Sequence, residues 1–141
     1  MSLFSVFNIA GSALNAQTIR LNTTASNLAN SESVDGDASK VYRARHPVFQ
    51  AMMDSPDGSA DSDGAVAGVR VLGVVQSTTE PVKRYDPNNP VANKDGYVYM
   101  SNVNSIEEMT NMISANRSFA TNVEAINTAR DLLLKTIAMG H

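Results

Sequence analysis

The chain of 141 residues has no cysteine and no tryptophan, and only 18% of its side chains are charged. Without cysteine there is no disulfide framework, no thiolate metal site and no cysteine nucleophile, so an oxidising and a reducing compartment are equally compatible. The charge content falls below the roughly one quarter of an average soluble domain. Eleven basic residues against fourteen acidic ones leave a net charge of -3. No global positive field is therefore available for a nucleic-acid backbone, and nucleic acid is not an expected partner. No run reaches the ~18 consecutive apolar residues of a membrane span. The opening MSLFSVFNIAGS lacks the basic start and long apolar stretch of a secretory signal.

Catalytic residue types are also scarce. The histidines are His46, beside Pro47, and His141, and neither has a companion at ligand spacing. No glycine-rich phosphate loop and no G-x-S-x-G elbow occur. Asp54, Asp57, Asp61 and Asp63 offer hard oxygen ligands to Ca²⁺, but the ligand order and closing Glu of a helix-loop-helix site are missing. The expectation is a chain with no catalytic residue, no cofactor, no metal and no small-molecule substrate. A small Ca²⁺-dependent or hydrolytic enzyme rests only on the acidic run and His46.

The charge that is present is unevenly placed. Arg20 is the one ionisable side chain from Met1 to Ser31, whereas Glu32 to Asn104 holds ten acidic and seven basic residues. In the uncharged stretch Phe7, Ala10, Leu14, Gln17, Leu21, Thr24 and Leu28 recur at coiled-coil spacing, flanked by Ala13, Ala16, Ala25 and Ala29. This predicts a helix from about Leu3 to Asn30, roughly 40 Å long. A helix with small uncharged hydrogen-bonding groups in place of a charged wet face suits burial on several sides.

A second helix is expected from Ser105 to about Met139, roughly 50 Å long. Ser105 and Glu108 match a capping box, and Glu107 and Glu108 suit the positive end of the helix dipole. Met109, Met112, Phe119, Val123, Ile126, Leu133 and Ile137 form its apolar series, completed by Asn116 and Arg130. Between the helices, Val41–Gln50, Val66–Gln76 and Gly96–Met100 are rich in strand formers. Pro47 confines the first of these to an edge. Residues 54–64, DSPDGSADSDG, read as a hairpin tip. Pro81, Pro87 and Pro90 place an extended loop before Gly96. The fold class is mainly α with a small β insertion: residues 1–30 and 105–141 form one helical core, paired as an antiparallel coiled-coil-like hairpin, and 31–104 supply the linker and β-hairpin region.

Three stretches carry a resemblance. Ala13-Leu14-Asn15-Ala16 through Ala25-Ser26-Asn27-Leu28-Ala29-Asn30 resembles a signature in which a helix ends in an S-N-L-A-N turn. YDPNNPVANKDGYV, Tyr85–Val98, is similar to a loop Y-D-P-x-H-P-x-A-D-x-x-G-Y-V. Ser101-Asn102-Val103-Asn104, followed by Glu107-Glu108-Met109, Met112-Ile113, Ala115, Arg117 and Asn122-Val123, resembles P-N-V-N-x-x-x-E-M-x-x-M-I-x-A-x-R-x-x-x-x-N-V. On these motifs the chain resembles the axial rod and hook proteins of the bacterial flagellum, in particular their short proximal-rod members. Asn89, Asn93 and Ser101 depart from the pattern's His, Asp and Pro, and the link SESVDGDASK lacks the Thr- and Pro-rich turn of other rod proteins.

The resemblance implies a structural subunit of the periplasmic rod of the basal body, exported by the flagellar type III apparatus without a cleaved signal. It would assemble with copies of itself and other rod proteins into a helical drive shaft around the export channel. The membrane (MS) ring and export-gate components would be partners at the rod base. The residues expected at the assembly interface are Leu14, Leu21, Leu28, Met109, Met112, Phe119, Val123, Ile126 and Leu133 for helix packing, with Asn27, Asn30, Asn116 and Arg117 for polar contacts. The alternative from another class is a soluble helical-hairpin adaptor holding a partner helix in a Met-rich groove.

Overall fold

A computed structural model describes residues 3–53 and 66–139. The elements run α1 Leu3–Ala29, β1 Val34–Asp35, β2 Arg45–Met53, β3 Val66–Gln76, β4 Val82–Tyr85, β5 Tyr97–Met100 and α2 Ser105–Met139. The two long helices pack together, with the small β region between them in sequence. The expected hairpin tip at 54–64, with its four aspartates, lies outside the described residues, as do Gly140 and His141.

Three local expectations are corrected. The N-cap of α2 is Asn104, not Ser105: Asn104 Oδ1 accepts from the backbone N–H groups of Ile106 and Glu107 at 3.1 and 3.4 Å. Asn takes this position because its side chain reaches two of the unpaired donors of the first turn. Glu108, freed from the capping box, is buried at 4% exposure. The first strand begins at Arg45 rather than Val41. Val41 and Ala44 point inward, and the Ala44 N–H donates to Asn102 Oδ1 at 2.7 Å, so side chains occupy this backbone before a ladder can. Two strands, β1 and β4, occur where no strand was expected, each supplied with partners by β5.

The chain divides into two compact units, and the division crosses both helices. The first comprises Met1–Ile19, Val48–Gly73 and Ser114–His141. Its buried side chains include Ala10, Ala16, Ala115 and Ala129, small groups that let backbones approach closely. The β2–β3 ribbon, a two-stranded sheet, is pinned to α1 by Ser12. The Ser12 hydroxyl donates to the Ile9 carbonyl at 2.8 Å and accepts from the Val69 N–H at 3.0 Å. Gly68 permits that approach, since a Cβ there would lie 2.6 Å from Ser12 Oγ.

The second unit comprises Arg20–Pro47 and Val74–Ile113. It holds an antiparallel three-stranded sheet in the order β1-β5-β4, with Val34 and Val82 both opposite Met100 and Tyr85 opposite Tyr97. Val98 in the central strand is fully buried. The loop between β4 and β5 is closed by Asn93, whose Oδ1 accepts from the N–H groups of Asp95 and Tyr97 at 3.0 and 2.9 Å. An Asp would accept in the same way, so this departure from the family pattern keeps the loop's geometry. Gly96 adopts a φ of +78°, a left-handed conformation suited to glycine. It lies under the Tyr85 ring, 3.0 Å from where a Cβ would stand. Ser101 is a departure of a different kind: its N–H donates to the Ser33 carbonyl at 3.1 Å, a bond that proline cannot make.

Candidate assembly interface

The exposure pattern of α2 resolves its apolar residues into two seams, each with alternating three- and four-residue spacing. Along one, Glu108, Met112, Ala115, Phe119, Asn122, Ile126, Ala129 and Leu133 are buried or half-buried. Along the other, Ile106, Met109, Ile113, Asn116, Ala120, Val123, Asn127, Arg130, Leu134 and Ile137 are all exposed. The single apolar series expected from sequence thus mixes two faces: Met109, Val123 and Ile137 belong to the open seam, and Met112, Phe119, Ile126 and Leu133 to the covered one. Ile106 is 78% exposed and Ile137 58%, an extended apolar face of the kind that marks an interaction surface.

In α1 the whole expected seam, Phe7 to Leu28, is buried or half-buried, including Leu14, Leu21 and Leu28. The wet side is a narrow line of Asn8, Gly11, Asn15, Thr18, Asn22, Ala25 and Ala29. It carries no charge and repeats every seven residues. Ala25 and Ala29, expected to flank the seam, stand on this wet line.

The asparagines that end α1 work inside the chain. Asn27, 1% exposed, mimics a neighbouring strand at Arg45: its Nδ2 donates to the Arg45 carbonyl at 2.8 Å and its Oδ1 accepts from the Arg45 N–H at 2.9 Å. The same Oδ1 accepts from the Tyr42 hydroxyl at 2.9 Å, and that hydroxyl lies 3.1 Å from Ser26 Oγ. Asn30 closes the helix, its N–H and Nδ2 both directed to the Ser26 carbonyl. Asn102 Nδ2 donates to the Thr79 carbonyl, so one amide side chain bridges Ala44 and Thr79. By contrast Asn116 and Arg117 are exposed on α2. The roles of Tyr42, Asn102 and Ser12 have no periodic signature in the sequence. The open seam does have one, since Ile106, Met109 and Ile113 already show the spacing.

Between the helices of the first unit, Val6, Ala120, Glu124, Ala125, Ala129 and Leu132 line an open hollow of about 710 Å³. His46 is exposed, and among the described residues no cluster of His, Asp or Glu is arranged to hold a metal ion. No described helix is long and apolar enough to cross a membrane. The site therefore offers extended, shape-bearing helix surface.

Comparison with known proteins agrees with that character. Residues 7–36 match the family model of the flagella basal body rod protein, and residues 94–139 match that of the flagellar basal body rod FlgEFG protein C-terminal region. Over 140 residues, 99% of each chain, the sequence is 45% identical to the flagellar basal-body rod protein FlgC of Salmonella typhimurium. It is 44% identical to that of Yersinia enterocolitica over 140 residues and 37% identical to that of Buchnera aphidicola subsp. Baizongia pistaciae over 142, again with 99% of each chain covered.

Proposed function

This chain belongs to the FlgC family of flagellar basal-body rod proteins, and from that premise we propose how its surfaces build the rod. The family is structural, and the chain is a structural subunit of the basal-body rod that assembles with its own kind and with other rod components. The adaptor reading finds no support among its relatives.

In our reading the open seam of α2 and the uncharged line of α1 are the surfaces that neighbours occupy. Met109, Asn116, Arg117 and Val123 meet adjacent subunits. Leu14, Leu21, Leu28, Met112, Phe119, Ile126 and Leu133 hold the two helices at the spacing those neighbours need, and Asn27 and Asn30 fix where α1 stops. The carrying observation is the unbroken heptad spacing of exposed residues from Ile106 to Ile137. Repeated contacts between unlike surfaces do not close on themselves and generate helical tubes. Close-packed side chains have low compressibility, which lets such a tube transmit torque from the membrane ring to the distal rod and hook and enclose an export channel. Export through the type III apparatus without a cleaved leader, and contacts with the MS ring and export gate at the rod base, complete the proposal.

The test is incorporation. A tagged chain expressed in a strain lacking its own copy is expected to restore swimming and to be found in purified basal bodies. A stable tagged chain that never enters the basal body would overturn the reading.

A further inference from the structure

We propose that the hollow beside α2 in the first unit receives the open seam of α2 from a second copy of the chain, with Arg130 of that copy set on Glu124. The contact rests on the rod reading above and pairs two surfaces that reading leaves unmatched. The hollow, about 710 Å³, follows α2 along Thr121, Ala125, Thr128 and Leu132, with Val6 supplied by α1. Steps of four, three and four residues make one stripe of a helix, so the hollow is a trough that runs with the helix axis.

Its lining suits a neighbouring helix. Ala125 and Ala129 carry nothing beyond Cβ, which leaves room for longer side chains from outside. Thr121 Oγ1 already donates to the Arg117 carbonyl at 3.0 Å, so covering it with an apolar group strands no donor. A trough carried on two helices is preorganised and loses little conformational entropy on binding.

Glu124 is the one ionisable residue among the eight that line the hollow, and it is exposed. Its neighbours one turn away, Ala120, Thr121, Asn127 and Thr128, carry no charge, and α1 has no ionisable group before Arg20. Arg117, two turns back on α2, is ~10 Å away along the axis. Neither it nor Arg70 of β3 pairs with Glu124; among the described residues the recorded ion pair is Arg84–Asp86. The carboxylate therefore keeps its capacity for an outside base.

The occupant follows from charge and repeat. From Val123 through Asn127, Arg130 and Leu134 to Ile137 the open seam steps by four, three, four and three residues, so a second α2 can lie almost along the trough, at ~20°. Arg130 is the one ionisable residue of that seam. A trough with a single acid thus meets a ridge with a single base, a complementarity that fixes register more than it adds affinity. The two surfaces stand ~170° apart around α2 at 3.6 residues per turn. One copy therefore holds a neighbour on each side, and a contact between unlike faces repeats without closing. Copies in such an assembly point the same way, so Arg130 at Glu124 sets Asn127 opposite Thr121 and Leu134 opposite Thr128.

The absence of cysteine makes the test direct. Thr121→Cys and Asn127→Cys are placed in separate full-length chains, co-expressed in a strain lacking its own copy, and treated with a short bismaleimide in purified basal bodies. Thr128→Cys with Leu134→Cys is read in parallel, so that one variant's failure to enter the rod does not decide the outcome. A linked dimer is expected from each mixed pair and from no single variant alone. Glu124→Lys in the Thr121→Cys chain should cut the linked fraction at least ~tenfold through like-charge repulsion, and adding Arg130→Glu to the Asn127→Cys chain should restore it. Dimers from a single variant, a link to a different rod component, or a yield indifferent to charge reversal would each overturn the proposal. Incorporation of the unmodified tagged chain is scored separately: chains present in basal bodies but never linked defeat this contact and leave the rod reading standing.

Discussion

The two seams of α2 differ in cover far more than in character. The seam covered within the chain includes Glu108 and Asn122 beside Met112, Phe119, Ile126 and Leu133, and the covered residues of α1 include Gln17, Thr23 and Thr24 beside Leu14, Leu21 and Leu28. The open seam is as rich in Ile, Met, Val and Leu, with Asn116, Asn127 and Arg130 among them. A lone globular domain buries its most apolar stripe, because each fully buried aliphatic side chain contributes ~1.5–3 kcal/mol. Here the two seams are nearly alike in character, with two polar residues among the eight covered and three among the ten open, so a stripe as apolar as the one used to form the subunit is left outside. The lone chain thus forgoes stabilisation that assembly would supply.

The largest effects should come from charges placed in either seam, and they should differ in kind. Met112→Asp puts an unpaired charge in the covered seam and is expected to cost several kcal/mol, ~3–5 by analogy with broken buried pairs, which is a large share of a domain's total stability. It should lose both the cooperative thermal transition and incorporation into basal bodies, as should Leu21→Asp. Ile113→Asp, the next residue but on the open seam, should leave the melting temperature of the isolated chain within ~2 °C and still abolish incorporation. If both variants melt alike, the division into covered and open seams is wrong.

Next in size is Asn27→Ala. It removes three hydrogen bonds and leaves the N–H and carbonyl of Arg45 without their partner. A loss of ~1–3 kcal/mol is expected from removing these part-buried bonds, measured by denaturant unfolding. Amide hydrogen exchange should rise first at residues 42–47, while the β1-β5-β4 sheet keeps its protection. This variant separates an asparagine that holds the chain together from Asn116, whose change to Ala should leave unfolding unaltered and act only on assembly.

How far the sequence foretold this depends on the kind of signal. Both helices were legible because apolar spacing is a local property repeated many times over, and β3 was legible because eleven residues from Val66 to Gln76 share strand-forming character. The two-residue β1 and the exposed β4 were not, since their existence depends on being paired by β5. The single apolar series assigned to α2 could not be divided by spacing alone. Met109 and Met112 are both apolar and three apart, and only a partner in space decides which is covered. Asn27 stood out as part of a motif, but its use as a strand mimic required Arg45 to be brought beside it.

The covered seam can also be sharpened in the opposite direction. Among the described residues Gln17 Oε1 is buried without a hydrogen-bond partner, a cost of ~1–3 kcal/mol. Gln17→Leu should therefore stabilise the isolated chain, raising its melting temperature by a few degrees, ~3 °C per kcal/mol at this size. If assembly requires that amide to find a donor on a neighbour, the stabilised variant should enter basal bodies less well than the wild type. If the amide is merely tolerated, incorporation should be unchanged.

The smallest effect concerns Arg20, the one charge in the first thirty-one residues. Its Nη2 donates to Asn111 Oδ1 at 3.3 Å, a long bond joining α1 to α2 in the second unit. Asn111 lies one turn beyond the buried Glu108 on α2, and among the described residues no ion pair joins Arg20 to that carboxylate. A double-mutant cycle separates the two roles. If the bond to Asn111 were the whole effect, Arg20→Ala and Arg20→Ala with Asn111→Ala would be equally stable, with a coupling of ~0.5–1 kcal/mol recovered. If Arg20 chiefly offsets Glu108, Asn111→Ala should cost little by itself, and Glu108→Gln should rescue most of the loss in Arg20→Ala. We expect the first pattern, because the Arg20 guanidinium bonds the Asn111 amide and, among the described residues, no ion pair joins it to Glu108.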